Sequence, residues 1–313
     1  MQLRRKTCLL VVLLSLVLSA ALPAAAVQKK KKKKALPRGT PVLWRDRDIA
    51  SLDLADGPGG DAMRPATRRL RLVKEEKGGW SKKYRVLDSR GREWVAKLGK
   101  EAQSETAATR LVWAAGYETE ITYLVPRVTI PGKGTFENVR FEARPKNVKR
   151  FDPWSWEKNP FTGTRELDGL KVLMVLINNW DLKDENNVIL HQTGSGDLLY
   201  AISDLGATFG KTGGGGPLWR LTRSRNNPED YADSKFIDKV EDGYVNFHFS
   251  GVNKGLVEKV PAAHARWLGE RLSRLTDGQL QTIFRAANYT PAETRLLTRT
   301  VRSRIEELAS LRQ

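Results

Sequence analysis

The chain has 313 residues, 40% hydrophobic and 29% charged, a balance that suits one large domain or two lobes with their own cores. A single cysteine excludes an intrachain disulfide scaffold and any metal centre built from several thiolates. The formal charge of +18 points to anionic partners, and the block Lys29 to Lys34 concentrates part of it in one solvated run.

Arg4, Arg5 and Lys6 precede an apolar run from Leu9 to Leu22 that closes on Ala24, Ala25 and Ala26. A positive start, an apolar middle and a small-residue exit define a secretory signal peptide over residues 1–26. The expectation is therefore an exported protein, periplasmic or extracellular. The other reading keeps the segment as an N-terminal membrane anchor, although it is short for a span. Cys8 lies inside this run, so cleavage would leave no cysteine at all. Residues 27–66, rich first in lysine and then in Pro37, Pro41, Pro65 and the run Gly57-Pro58-Gly59-Gly60, read as a linker with little regular structure. The lysines serve as a solubilising leader or as a contact with an anionic membrane or cell envelope; export argues against nucleic acid.

From residue 67 the pattern changes. "RLRLVKEE" alternates, "KGGW" interrupts it, and "KKYRVLDSRGREWVAKLG" predicts two strands around a turn at Ser89-Arg90-Gly91. "EAQSETAATRLVWAAG" places Ala108, Leu111, Val112 and Ala115 at helical spacing and stops at Gly116. "TYLVPRVTI" and "NVRFEARP" add strands, which completes a β-rich region with one helix over 67–148. Residues 149–313 differ. "ELDGLKVLMVLINN" is apolar nearly all round, as in a buried helix. "NVIL" and "LLYAISDLG" form a hairpin across "HQTGSGD", and three helices follow from Ala262. The glycine run 213–216 lacks the strand, lysine and hydroxyl residue of a phosphate-binding loop and reads as a mobile segment. His191, His248 and His264 are scattered without metal-ligand spacing, and Trp154 and Trp156 read as packing.

The segment "NNWDLKDENNVIL" sets two aspartates, a lysine, a glutamate and several asparagines between two segments that both tend to be buried. Such a loop is rigid and partly desolvated, which suits polar groups that must be held in place. The hairpin sets Asn186 beside Asp204, an amide oxygen and a carboxylate, both hard donors that suit Mg²⁺. Asp181 stands near them as a base.

These residues resemble those of the protein-kinase-like superfamily. "DLKDEN" is similar to the catalytic loop Asp-Leu-Lys-x-Glu-Asn, "DLG" to the metal-binding Asp-Phe-Gly, and "EWVAKLG" to the Val-Ala-x-Lys strand without its intervening residue. The resemblance implies an α+β, bilobal fold with a small β-rich lobe carrying one helix and a larger helical lobe. It implies Asp181 as the base, Lys183 on the transferring phosphate, and Asn186 and Asp204 as ligands of Mg²⁺ or Mn²⁺, with Asn187 a rival for Asn186. Lys97 would be the phosphate-binding lysine, paired with Glu105 or Glu101. Glu105 is preferred, because the helix dipole already accounts for an acid at the helix start. Gly78 and Gly79 would belong to the loop covering the phosphates, although the spacing departs from Gly-x-Gly-x-x-Gly. Asn179 and Trp180 stand where the family carries His-Arg, which removes the partner of an activating phosphate. With Lys97 and Glu105 so close in sequence, the resemblance is to the atypical branches: HipA-like, lipid-kinase-like and secreted kinases. ATP or another nucleoside triphosphate would be the donor, and a hydroxyl of a protein, lipid or glycan the acceptor. Because nucleotide is scarce outside the cytoplasm, the alternative is an inactive pseudokinase or an envelope-binding module.

Overall fold

The computed structural model describes residues 35–77, 81–214 and 219–312. The signal segment 1–26, Lys29 to Lys34, Gly78, Gly79 and residues 215–216 of the glycine run lie outside them.

Antiparallel strands build the first lobe. After the short β1 (Thr40–Val42) come β2 (Arg71–Glu76), β3 (Lys83–Leu87), β4 (Glu93–Lys97), helix α1 (Glu101–Ala114), β5 (Thr122–Ile130) and β6 (Gly134–Ala143). The sheet order is β2-β3-β4-β6-β5. Alternation along β4 decides what each face does. Trp94 and Ala96 join Tyr84, Val86, Val139 and Phe141 in the core of this lobe. Lys97, in register with Arg140 of β6, belongs to the other face.

The remaining elements are β7 (Val148–Arg150), α2 (Arg165–Leu176), β8 (Asn187–Gln192), β9 (Asp197–Ile202), α3 (Pro228–Ala232), β10 (Ile237–Glu241), β11 (Tyr244–Phe247), β12 (Val260–Pro261), α4 (Ala262–Leu272), α5 (Asp277–Ala286) and α6 (Pro291–Ala309). Helix starts follow local chemistry. Thr164 Oγ1 caps α2 by accepting from the Leu167 amide, and Thr276 and Thr290 form capping boxes with Gln279 and Glu293. Leu167, Leu170 and Val172 to Leu176 are all buried, so α2 runs through the middle of the largest core. The β8–β9 hairpin forms as its sequence predicts, whereas β7, α3 and β10 to β12 carry no clear local signal.

The linker expected over residues 27–66 is corrected by the packing of residues 40–56. β1 pairs in parallel with β9, and Leu43, Ile49 and Leu54 are buried in the main core. Trp44 Nε1 donates to the Ala115 carbonyl at 2.9 Å, and Arg45 and Arg47 reach Glu118 at 3.1 and 2.8 Å. Arg110 of α1, itself 1% exposed, donates to the carbonyls of Leu54 at 3.1 Å and Ala55 at 3.0 Å. The prolines and glycines mark short 3-10 turns such as Gly57–Gly59 rather than an unstructured chain. The carbonyls of Leu54, Ala55 and Gly60 find donors more than fifty positions away, in Arg110 and Tyr123, and no local periodicity records that.

Arg110→Met should therefore leave buried carbonyls without donors and cost about 2–4 kcal/mol. Urea unfolding followed by circular dichroism would read the loss. Limited proteolysis should cut the variant first within residues 40–64.

Candidate active site

Lys97 closes β4 and is 1% exposed. Its Nζ lies 2.8 Å from Glu101 Oε2, 2.9 Å from Glu105 Oε2 and 3.5 Å from Asp204 Oδ1. Glu101 and Glu105 are one helical turn apart in α1 and so face the same way. Sequence reasoning preferred Glu105 and assigned Glu101 to the helix dipole; both carboxylates hold the ammonium. Burial by itself would lower the Lys97 pKa, but Glu105 and Asp204 outweigh it and raise it, so the group stays charged. Burial also opposes ionisation of Glu101, yet Lys97, Ser81 and Arg225 hold its carboxyl down at about 2.

Behind this cluster runs a chain of alternating charges that sequence reasoning missed. Arg140 Nη1 meets Glu105 Oε1 at 2.7 Å and Arg140 Nη2 meets Glu142 Oε2 at 2.6 Å. Arg144 pairs with Glu142 and lies 3.1 Å from Glu120, which Arg150 also contacts. The residues of β6 at spacing two, Arg140 and Glu142, carried the only local hint, since they alternate in charge on one face of a strand.

The polar loop supplies the opposite wall. Asn179 Oδ1 accepts from the Asp181 amide at 3.2 Å, which fixes the backbone ahead of the carboxylate. Lys183 Nζ sits 2.7 Å from Asp181 Oδ1. Asn186 Nδ2 donates to the Asp181 carbonyl at 2.6 Å and to Asp181 Oδ2 at 3.2 Å. Asn187 turns the other way, is 3% exposed, and donates to the Trp154 carbonyl at 2.9 Å. Asn186 therefore faces the cleft and Asn187 the core, as neighbours entering a strand must. The amides of Ser203 and Asp204 donate to the Asn186 carbonyl at 2.8 and 3.1 Å, so the hairpin locks the two side chains together. Gly206 has a steric reason: a Cβ there would stand 3.0 Å from Glu101.

Lys97, Glu101, Asp181, Lys183, Asn186 and Asp204 line one cavity of about 670 Å³, together with Ser81, Lys83, Trp180, Arg223 and Arg225. Glu105 stands behind Lys97, fully enclosed. Nothing local in the sequence signals Arg223 and Arg225, which come from a long loop. Asn186 spends its Nδ2 on Asp181, which leaves its Oδ1 as the donor it could offer a cation, and the Asp204 side chain is 44% exposed. These two hard oxygen donors fit a divalent cation whose remaining ligands are water and phosphate. Among the described residues, no group of three or more His, Cys, Asp or Glu could hold a metal by itself.

A β-rich lobe with one helix, a helical lobe and a cleft lined from both define an α+β, bilobal fold. No family model matches the chain, and no curated protein matches it. Among solved structures it is similar to the proinflammatory kinase CtkA of Helicobacter pylori at 12% identity, covering 78% of this chain and 92% of that one, with a TM-score of 0.46. It is also similar to the Rio2 kinase from Chaetomium thermophilum, solved as an ADP/Mg²⁺-phosphoaspartate complex, at 12% identity, 79% and 74% coverage and a TM-score of 0.34.

The depressed Glu101 carboxyl makes a pH prediction. Its ionised form stabilises the fold above the ordinary carboxylate range near 4.5, and that contribution is lost as pH falls toward about 2. Glu101→Gln should flatten the dependence of stability on pH in this window, as measured by denaturant midpoints at stepped pH. An unchanged slope would mean that Glu101 is not held by Lys97.

Proposed function

We propose that the protein is an exported kinase-like phosphotransferase of an atypical branch, moving the γ-phosphoryl group of ATP or another nucleoside triphosphate to a hydroxyl acceptor. One observation carries this reading: Lys97 and Asp204, 107 positions apart, meet within 3.5 Å at the edge of a cleft that also holds Asp181, Lys183 and Asn186. Lys97, fixed by Glu101 and Glu105, offers a permanent positive charge to phosphate oxygens. Asn186 and Asp204 would hold Mg²⁺ or Mn²⁺, which neutralises phosphate charge when bound.

The acceptor oxygen attacks the γ-phosphorus; a new P–O bond forms as the bond to the diphosphate oxygen breaks. The acceptor proton passes to the Asp181 carboxylate, and a nucleoside diphosphate leaves. Lys183, 2.7 Å from Asp181 Oδ1, would offset the charge that develops on the transferring group. The acceptor is a protein, lipid or glycan hydroxyl. Export rests on residues 1–26, and Lys29 to Lys34 would hold the mature chain near an anionic envelope. Among the described residues no helix is long and apolar enough to cross a membrane.

A second reading, a binding module that performs no chemistry, draws support from the same contacts. Three carboxylates occupy the Lys97 ammonium, and Lys183 and Asn186 occupy Asp181.

Titration calorimetry separates the two. The phosphotransferase should bind ATP with Mg²⁺ or Mn²⁺ and lose that binding in excess chelator. Folded protein that binds no nucleotide under these conditions belongs to the second reading. Asp181→Ala should cut turnover by roughly 10²-fold or more while nucleotide affinity holds. Lys97→Met should weaken both.

A further inference from the structure

Lys83 opens β3 and stands directly opposite Lys97 of β4 in the antiparallel register. The two residues share a face of the sheet. Their neighbours Tyr84 and Ala96 turn into the lobe core, and both lysines line the cleft. The backbone on either side of Lys83 is fixed. Ser81 Oγ donates to Glu101 Oε2 at 2.8 Å, and the Leu98 amide donates to the Lys82 carbonyl at 2.9 Å. Like charges paired across two strands repel, and the pair costs stability unless anions answer it.

Lys97 has its answer. An ammonium carries three N–H donors, and Nζ of Lys97 faces three carboxylates, Glu101 at 2.8 Å, Glu105 at 2.9 Å and Asp204 at 3.5 Å. No donor of that ammonium is left over for a phosphate oxygen. Other cations of the cleft are engaged too. Lys183 is held by Asp181 at 2.7 Å and Arg225 by Glu101, while Arg223 lies 4.6 Å from the centroid of the Trp180 ring, which forms a shelf beneath it. Arg85, next on the same face of β3, is held by Glu76 at 2.6 Å and Glu93 at 2.7 Å. Glu76 is also the cross-strand neighbour of Lys83 on β2, but it is turned to Arg85 and to Lys74 at 3.4 Å. Among the described residues, Lys83 is ion-paired with no carboxylate. It brings a half-buried ammonium with unspent donors to the wall of the cleft.

We infer that Lys83 binds the phosphate chain of the nucleotide, while Lys97 holds β4, α1 and Asp204 together beside it. This rests on the nucleotide-binding part of the phosphotransfer reading above and adds a residue to it. A phosphate chain supplies the anion that the Lys83–Lys97 pair lacks, and its oxygens accept charge-assisted hydrogen bonds from the Lys83 ammonium. The lysines enter from the sheet, and Asn186 and Asp204 enter the same cavity from the hairpin. A chain of phosphates in that cavity meets cationic donors on one wall and hard oxygen donors on the other.

Titration calorimetry on the full chain with Mg²⁺ tests this, with ATP, inorganic tripolyphosphate and adenosine as probes. Lys83→Gln should weaken ATP and tripolyphosphate about tenfold and leave adenosine unchanged. The loss of ATP affinity with rising salt should flatten in the same variant. Lys83→Arg should keep most of the affinity, because charge and donors remain. Without nucleotide, the denaturant midpoint of Lys83→Gln should hold or rise, since a like charge opposite Lys97 is gone. Lys29 to Lys34 are common to every variant, so a change between variants reads only residue 83. Should Lys83→Gln fail to fold, Lys83→Met, which keeps the apolar stem, carries the same comparison. A lysine that is merely structural would lower the midpoint and weaken all three probes together, and that result overturns the inference. Wild-type protein that binds neither ATP nor tripolyphosphate removes the phosphotransfer reading and this inference together. ATP affinity that is present in the wild type and unmoved by residue 83 removes this inference alone.

Discussion

A buried ammonium is the constraint around which this molecule is arranged. Lys97 lies at the end of a strand with almost no water around it, and an uncompensated charge there would cost several kcal/mol. Its compensation comes from α1 through Glu101 and Glu105 and from the hairpin of the other lobe through Asp204. Strand, helix and hairpin therefore have to meet at one point, and the cleft is the space left beside that meeting. Arg140, Glu142, Arg144 and Glu120 extend the same requirement toward the junction of the lobes, each charge answering the last. Networks of this kind add little net stability but penalise any arrangement that separates their members, which fixes the side chains around the cleft.

With one cysteine in the chain, distant segments are tied together by arginine instead of disulfides. Arg110 fastens the 54–55 backbone to α1. Arg304 of α6, 2% exposed, donates to the carbonyls of Leu176, Tyr231 and Ser234 and to Asn178 Oδ1, while its guanidinium lies 4.2 Å from the Tyr231 ring centroid. One side chain thus joins the end of α2, the start of the polar loop and the segment after α3. The five donors of a guanidinium suit this work, because carbonyls from several chain segments can be satisfied at once.

The loop around Asp181 departs from the family it resembles in an informative way. Where that family carries His-Arg, this chain has Asn179 and Trp180. Asn179 does a backbone job, holding the Asp181 amide and placing its Nδ2 3.3 Å from Met174 Sδ. Trp180 receives arginines from the segment that follows Asp204. Ring and charge come from different segments: the loop around Asp181 supplies the aromatic ring, and the later segment supplies the charge.

Much of this was legible in the sequence, because it depends on neighbours in the chain. The strands from Arg71 to Lys97, α1, α2, the hairpin and the last three helices all announce themselves through periodicity, caps and turn residues, which are local chemistry. The motif residues Lys97, Asp181, Lys183, Asn186 and Asp204 stand in recognisable order for the same reason. Three things were decided only by the tertiary structure. The choice of Asn186 over Asn187 depends on which way a strand's first residues face, and a one-residue ambiguity in register hides it. The packing of residues 40–56 depends on carbonyls finding Arg110 and on β1 finding β9, pairings whose energy lies between segments far apart in sequence. The second carboxylate on Lys97, the Arg140 chain and the Trp180 shelf arise because folding removes water from charges that the sequence shows only as isolated letters. Periodicity is a property of the chain; desolvation is a property of the fold.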